Sequence, residues 1–428
     1  MQLLDKSQKN MSSKRFSLKR NFTYSLAGNL SYAFSQWIIV MLIAKFGTPE
    51  MVGRYSLGLA ITAPIFLFLN VNLRAIQATD TQNEYNFIDY FYNRNITNLI
   101  GVLIVLCIIS GLNLNKETQI IIFIMSIGKV LETMCDVSFG LFQQNERMDY
   151  VSMSKVIQSL LSILFVTFAI VTFNNLFLAV VLNGVSFLLT FIFYNLYKIY
   201  KITGIKLETE VFNIKNNFSH KKVWSLFVIG LPLGIAASLD SFNANIPRYF
   251  LQYFMNEKYV GYFSAIFFIM ASGGTIITAL AQSATPRLAR LYNESAKQFA
   301  LLLKKLIVFA IVLGLLGIII SLFFGDLILS VLYGPDYSEF NILFILLMIA
   351  ATIWYISSFI GTALMATRKF NSQMLIYIIT TVVSIIGAIF LIPSYGLLGA
   401  GLLIILSHIA RLIVTTFIYC KIIKNRVR

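Results

Sequence analysis

The sequence predicts an all-α polytopic membrane protein of about twelve transmembrane helices in two six-helix lobes, and three observations carry that expectation. Of 428 residues, 58% are hydrophobic and only 12% are charged. The apolar residues come in runs of about twenty, not in the short alternating blocks of a soluble core. Runs such as ITNLIGVLIVLCIISGL and LIYIITTVVSIIGAIFLI are each long enough to cross about 30 Å of hydrocarbon as a helix. Finally, the basic residues gather in alternate connections between these runs.

Taken in order, the runs between charged breaks place spans at 24–44, 53–78, 96–113, 118–142, 152–173, 176–197, 223–250, 259–283, 301–324, 340–366, 373–392 and 397–420. A basic leader (1–23), an amino-terminal lobe (24–197), a basic linker (198–222), a carboxy-terminal lobe (223–420) and a basic tail (421–428) follow. With both termini inside, 27 Lys and Arg residues fall on or near the cytoplasmic side and 4 on the external side. This asymmetry accounts for the net charge of +16, so nucleic acid is not expected as a partner. The leader is followed by a retained first span and not by a signal-peptide cleavage site.

The halves resemble each other weakly. FGTPEMVGRYSLGLAI (46–61) and FMNEKYVGYFSAIFFI (254–269) share Phe, Val-Gly, an aromatic and Ser at one offset of 208 residues. Six spans per half put both repeats in one orientation, related by an axis along the membrane normal, as in transporters that rock two bundles about a central site.

Cys107, Cys135 and Cys420 form no close pair, and His220 and His408 stand apart, so neither a disulfide framework nor a metal site is expected. No cofactor is implied and no catalytic residue stands out. The external connections are short, which disfavours a membrane polymerase or ligase.

Polar groups at membrane depth are the guide to function, since a charge there costs from about 2.5 kcal/mol upward unless it faces a partner or a wet cavity. In the second span, Asn70, Arg74 and Gln77 fall on one helical face, although Arg74 could instead snorkel to headgroups. In the fourth, Lys129, Glu132 and Asp136 lie along one side and can pair. The seventh holds Asp240, Asn243, Asn245 and Arg248, together with Pro232 and Pro247, at which the helix is expected to be interrupted or bent. The twelfth offers His408 and Arg411. Together these lean cationic, which suits an anionic substrate.

NLRAIQATD (72–80), NIPRYF (245–250), VGYFSAIFFIMASGGTIITALAQSATPRLARLY (260–292), LYGPDYSEFNILFILLMIA and LIPSYGLLGAG (391–401) resemble the bacterial Wzx-type polysaccharide flippases. Their superfamily also holds MATE drug exporters and lipid II flippases. The resemblance implies a two-lobed, V-shaped MATE-like fold in the bacterial inner membrane. It also implies export of undecaprenyl-pyrophosphate-linked oligosaccharide repeat units for capsule, O-antigen or similar polymers, with membrane lipids and polymerase or assembly proteins as further partners. Arg74, Asn245, Pro247 and Arg248 match the resembling blocks. Asn70, Lys129, Arg411, Glu132, Asp136, Asp240 and Asn243 rest on the charge argument, with Asp240 the candidate for a coupling proton or sodium ion. The rival reading is a MATE-type drug exporter, which would favour a more acidic cavity.

Overall fold

The computed structural model describes residues 18–80, 82, 84–204, 219–367 and 371–427. The leader before Leu18, most of the basic linker, and Arg368 and Lys369 lie outside them. Among the described residues the chain is helical, with no strand.

The helices are α1 (Leu18–Phe46), α2 (Pro49–Asn70), α3 (Leu73–Thr79), α4 (Phe87–Gly111), α5 (Lys116–Gln144), α6 (Met148–Phe173), α7 (Leu176–Leu189) and α8 (Leu196–Thr203). They continue with α9 (His220–Phe254), α10 (Glu257–Glu294), α11 (Ala296–Tyr333), α12 (Asn341–Ala366) and α13 (Asn371–Val427). Asparagine and serine start several of them: the Asn175, Asn256 and Ser295 side chains accept first-turn backbone N–H groups of α7, α10 and α11.

Among the described residues ten helices are long and apolar enough to cross a membrane. One of these is really two. Helix α13 has 57 residues, about 85 Å at 1.5 Å per residue, too long for one crossing. Its backbone turns at Gly396, where φ 56° and ψ −126° suit a residue without a Cβ. Helix α5, 29 residues with Lys129, Glu132 and Asp136 along it, is the remaining span. Together these make twelve spans among the described residues, as the sequence predicts.

The seventh span is not interrupted. Helix α9 stays helical through Pro232 and Pro247, although each proline withholds one N–H from the ladder. The glycines beside Pro232 serve packing: a Cβ on Gly230 would come within 2.1 Å of Val71 O, and one on Gly234 within 2.5 Å of Phe68 O. Small residues four apart let α9 lie directly on the backbone of α2. The break falls in the second span instead. Val71 and Asn72 take φ of 42° and 51°, ending α2 and restarting the chain as α3, so Asn70, Arg74 and Gln77 do not share one continuous helix face. A third irregularity is a π-turn over Thr190–Asn195, between α7 and α8.

The chain divides into two compact units. Unit one holds residues up to Ile39 and Ile61–Ser238; unit two holds Val40–Ala60 and Leu239–Arg428. The chain therefore changes unit inside α1, α2 and α9. Unit two brings the two copies of the repeat together. A Cβ on Gly53 would sit 1.9 Å from Glu257 O, and one on Gly261 would sit 1.9 Å from Pro49 O. Positions 49 and 257, like 53 and 261, are 208 apart, so each repeat presents the same glycine to the same carbonyl of the other. Arg54 Nε adds an ion pair to Glu257 Oε2 at 2.8 Å.

Candidate functional site

Unit one gathers its charges around a cavity of about 220 Å³ lined by α1, α2, α5 and α6. Lys129, Glu132 and Asp136 of α5 all take part, but not as one string. Lys129 Nζ pairs with Glu132 Oε2 at 2.6 Å, and Tyr32 Oη of α1 donates to Glu132 Oε1 at 2.8 Å. Asp136, a turn further on, turns away from Lys129. It lies 3.7 Å from Arg74 Nη1 and 3.7 Å from Arg94 Nη2, close enough to attract both guanidiniums but beyond a direct hydrogen bond.

The break at Val71–Asn72 makes this arrangement possible. It leaves Asn70 as the last residue of α2, where its carboxamide oxygen accepts from Arg94 Nη2. It also starts α3 so that Arg74 reaches α5: its Nε donates to Gln143 Oε1 at 3.1 Å, and its guanidinium lies 5.6 Å from the Phe139 ring.

Two cations join that the sequence argument counted only toward topology. Arg94 is 1% exposed. Lys155 of α6 lines the cavity, donates to Asn29 Oδ1 at 2.7 Å and lies 5.7 Å from the Tyr32 and Phe139 rings. Among the described residues Lys155 has no carboxylate in ion-pair range. One turn on, Gln158 is 3% exposed, and its Nε2 has no hydrogen-bond partner among the described residues. A signal for α6 was present: Ser152, Ser154, Lys155, Gln158, Ser159 and Ser162 interrupt one apolar run.

Lys129, Lys155, Glu132 and Asp136 thus line the cavity, with Phe66, Phe139 and Tyr32 as aromatic walls, and Arg74 and Arg94 stand behind Asp136. It can supply N–H donors and positive charge to an anion, and ring faces to a sugar.

Unit two holds the remaining candidates. Arg411 Nη1 lies 3.4 Å from Asp240 Oδ1, and its guanidinium is 5.3 Å from the Tyr377 ring. Two residues proposed for separate roles thus pair with each other. His408 stacks on Trp354, with ring centroids 6.0 Å apart. Arg248 is taken up by its neighbours. It is 5% exposed, with Nε donating to Ser264 Oγ at 2.8 Å and Nη1 to Asn245 Oδ1 at 2.6 Å, and its guanidinium 4.8 Å from the Phe267 ring. Arg248 and Asn245 thus satisfy each other within the packing of α9 against α10. Asn243 Oδ1 is buried without a hydrogen-bond partner among the described residues.

Comparison with known proteins bears on what such a fold does. Residues 18–292 match the family described as polysaccharide biosynthesis protein. The chain is 32% identical over 405 residues to the capsular polysaccharide biosynthesis protein CapF of Staphylococcus aureus, covering 94% of this chain and 99% of that one. Its fold resembles the inward-facing conformation of a multidrug resistance MATE family transporter of the MOP superfamily. The TM-score is 0.73 at 14% identity, over 92% of this chain and 95% of that one. It also resembles the lipid II flippase MurJ in an inward closed conformation, with a TM-score of 0.70 at 16% identity, over 92% and 87% of the two chains. At such identities these structures establish the MATE-like fold.

Proposed function

The chain belongs to the polysaccharide biosynthesis protein family, and on that premise we propose that it is a flippase. It carries an undecaprenyl-pyrophosphate-linked oligosaccharide repeat unit from the cytoplasmic to the outer leaflet of a bacterial inner membrane, by alternating access and without a chemical step. The basic connections face the cytoplasm, where the substrate is assembled.

The cavity of unit one carries this reading. A pyrophosphate and its sugars cannot cross hydrocarbon unaided, because their charge and hydroxyls would lose water without replacement. The protein has only to supply a polar, cationic route for the headgroup while the prenyl tail stays in lipid. Four cations against two carboxylates leave the cluster positive. Arg74 lies 3.7 Å from a carboxylate that it shares with Arg94, so part of its donor capacity is left for phosphate oxygens, while the buried Arg94 adds positive charge behind Asp136. Lys155 and the Gln158 amide add donors on α6, and the aromatic walls suit the first sugar. At about 220 Å³ the cavity is smaller than the roughly 300–1,000 Å³ of drug-sized sites. In this conformation it encloses part of a headgroup, not the whole repeat unit. The Asp240–Arg411 pair is the place we assign to a coupling proton or sodium ion, which would compete with the guanidinium for the carboxylate. Transport that ignores both gradients removes that role.

In cells whose surface polymer depends on this protein, Lys155→Ala is expected to lower polymer export about tenfold or more. That is the effect of losing one charge-assisted hydrogen bond worth about 1.5–3 kcal/mol. Protein level in the membrane should be unchanged, and lipid-linked repeat units should accumulate. Full export by Lys155→Ala, alone and combined with Arg74→Ala, would rule out this cavity as the path.

A further inference from the structure

We infer that unit one carries a second, peripheral site, for the headgroup of an anionic phospholipid, where α8 meets the start of α6. The inference does not depend on the transported substrate. The ammonium of Lys198 sits over three rings, 4.5 Å from the centroid of Tyr150 and 5.3 Å from those of Tyr194 and Tyr197. Arg147 lies over the same Tyr150 ring at 3.8 Å.

Two observations say that this is a binding surface and not a by-product of packing. The first is the π-turn at Thr190–Asn195. One extra residue in a turn rotates everything after it by about 100°, and such turns recur at functional sites. Here the rotation brings Tyr194, Tyr197 and Lys198 to the side of Tyr150. The second is charge. The nearby carboxylate, Asp149, is already held by Arg147 through two bonds of 2.9 and 2.7 Å. Among the described residues neither Lys198 nor Lys201 has a carboxylate in ion-pair range, and at i, i+3 they lie on neighbouring positions of one helix face and repel each other. A phosphate between them relieves that repulsion.

The chemistry selects a lipid over a soluble anion. Tyr197 is 58% exposed and Phe193, a turn earlier, is 76% exposed, so an apolar surface for acyl chains adjoins the cations at the end of a span. Aromatic rings with a polar edge beside lysine are the side chains that settle at the headgroup level. Phosphatidylglycerol fits this surface, because its phosphodiester supplies the charge and its chains supply the apolar part. Phosphatidylcholine brings its own cation and does not.

The test is lipid binding to the purified full-length protein, followed by native mass spectrometry, with phosphatidylglycerol and phosphatidylcholine of identical chains. Wild type is expected to prefer phosphatidylglycerol. Lys198→Gln with Lys201→Gln should weaken that lipid about twenty-fivefold, roughly fivefold per lysine, and leave phosphatidylcholine binding and thermal stability unchanged. Tyr197→Leu should weaken it about threefold, the scale of one exposed cation–π contact. Equal binding of the two lipids by wild type, or an undiminished preference in the double variant, would overturn the proposal. So would displacement of bound phosphatidylglycerol by undecaprenyl pyrophosphate at much lower concentration, which would give the site to the transported lipid.

Discussion

Replacing Gly53 or Gly261 by leucine is expected to remove nearly all folded protein from the membrane, or to leave a folded remnant that exports nothing. Each glycine faces a carbonyl oxygen across which even a Cβ would sit at 1.9 Å. The obstacle is backbone, Glu257 O in one case and Pro49 O in the other, so no rotamer change can make room. Overpacking a core typically costs about 1–3 kcal/mol, and a clash with main chain at this distance belongs at or above the top of that range. Because the two contacts are related by the repeat, the two substitutions should be equally damaging, whereas leucine at Gly111, which has open space around it, should be tolerated. Thermal unfolding of the purified variants and their yield in membranes measure this. Wild-type stability in either leucine variant would show that α2 and α10 do not cross at these glycines.

Asp136→Ala is expected to be the most damaging single change among the charged residues of the cavity. It strips the carboxylate from Arg94, which is 1% exposed and whose remaining charge partner would be only the neutral Asn70 amide. Leaving a buried charge uncompensated costs roughly 3 kcal/mol, or a fall of about 6–12 °C in unfolding temperature for a unit of this size. The control is to remove the charge as well. Asp136→Ala combined with Arg94→Met should regain most of the stability but not the export, because the cavity will have lost the acid that positions Arg74. If Asp136→Ala alone unfolds at the wild-type temperature, Asp136 is not what holds Arg94 in place.

How far these features were legible from the sequence depends on how local their cause is. The twelve spans were legible, because a run of some twenty apolar residues needs no tertiary context to be read as a crossing. Even the joint between the last two spans, at Pro393 to Gly396, carried its own signal. The breaks within spans were less so. Pro232 and Pro247 signal a break locally, yet the helix continues through both. The real break at Val71–Asn72 has neither proline nor glycine, and it is held by packing against Gly230 and Gly234, some 160 residues later in the chain. The site followed the same division. Asn70, Arg74, Lys129, Glu132 and Asp136 were found because charge at membrane depth is costly wherever it points. Arg94 and Lys155 were missed because each lies near the end of a span, where sequence alone does not separate a lysine at the headgroups from one turned inward. Arg248 is the opposite case: its sequence does not show its surroundings, in which the guanidinium is held by Ser264, Asn245 and the Phe267 ring. The repeat was visible only as a faint echo between 46–61 and 254–269, and its meaning, a reciprocal crossing of two helix starts, needed the structure.

The claim at the centre of this account is that the cationic cavity of unit one carries the headgroup of a prenyl-pyrophosphate-linked oligosaccharide across the bilayer. The direct measurement is translocation in proteoliposomes, with a lipid-linked oligosaccharide placed in one leaflet and its arrival in the other read by an impermeant enzyme or quencher. The account predicts transfer well above protein-free liposomes, reduced at least tenfold by Lys155→Ala and abolished when Arg74→Ala is added. Transfer no faster than in protein-free liposomes, or equal transfer by wild type and the double variant, would contradict it.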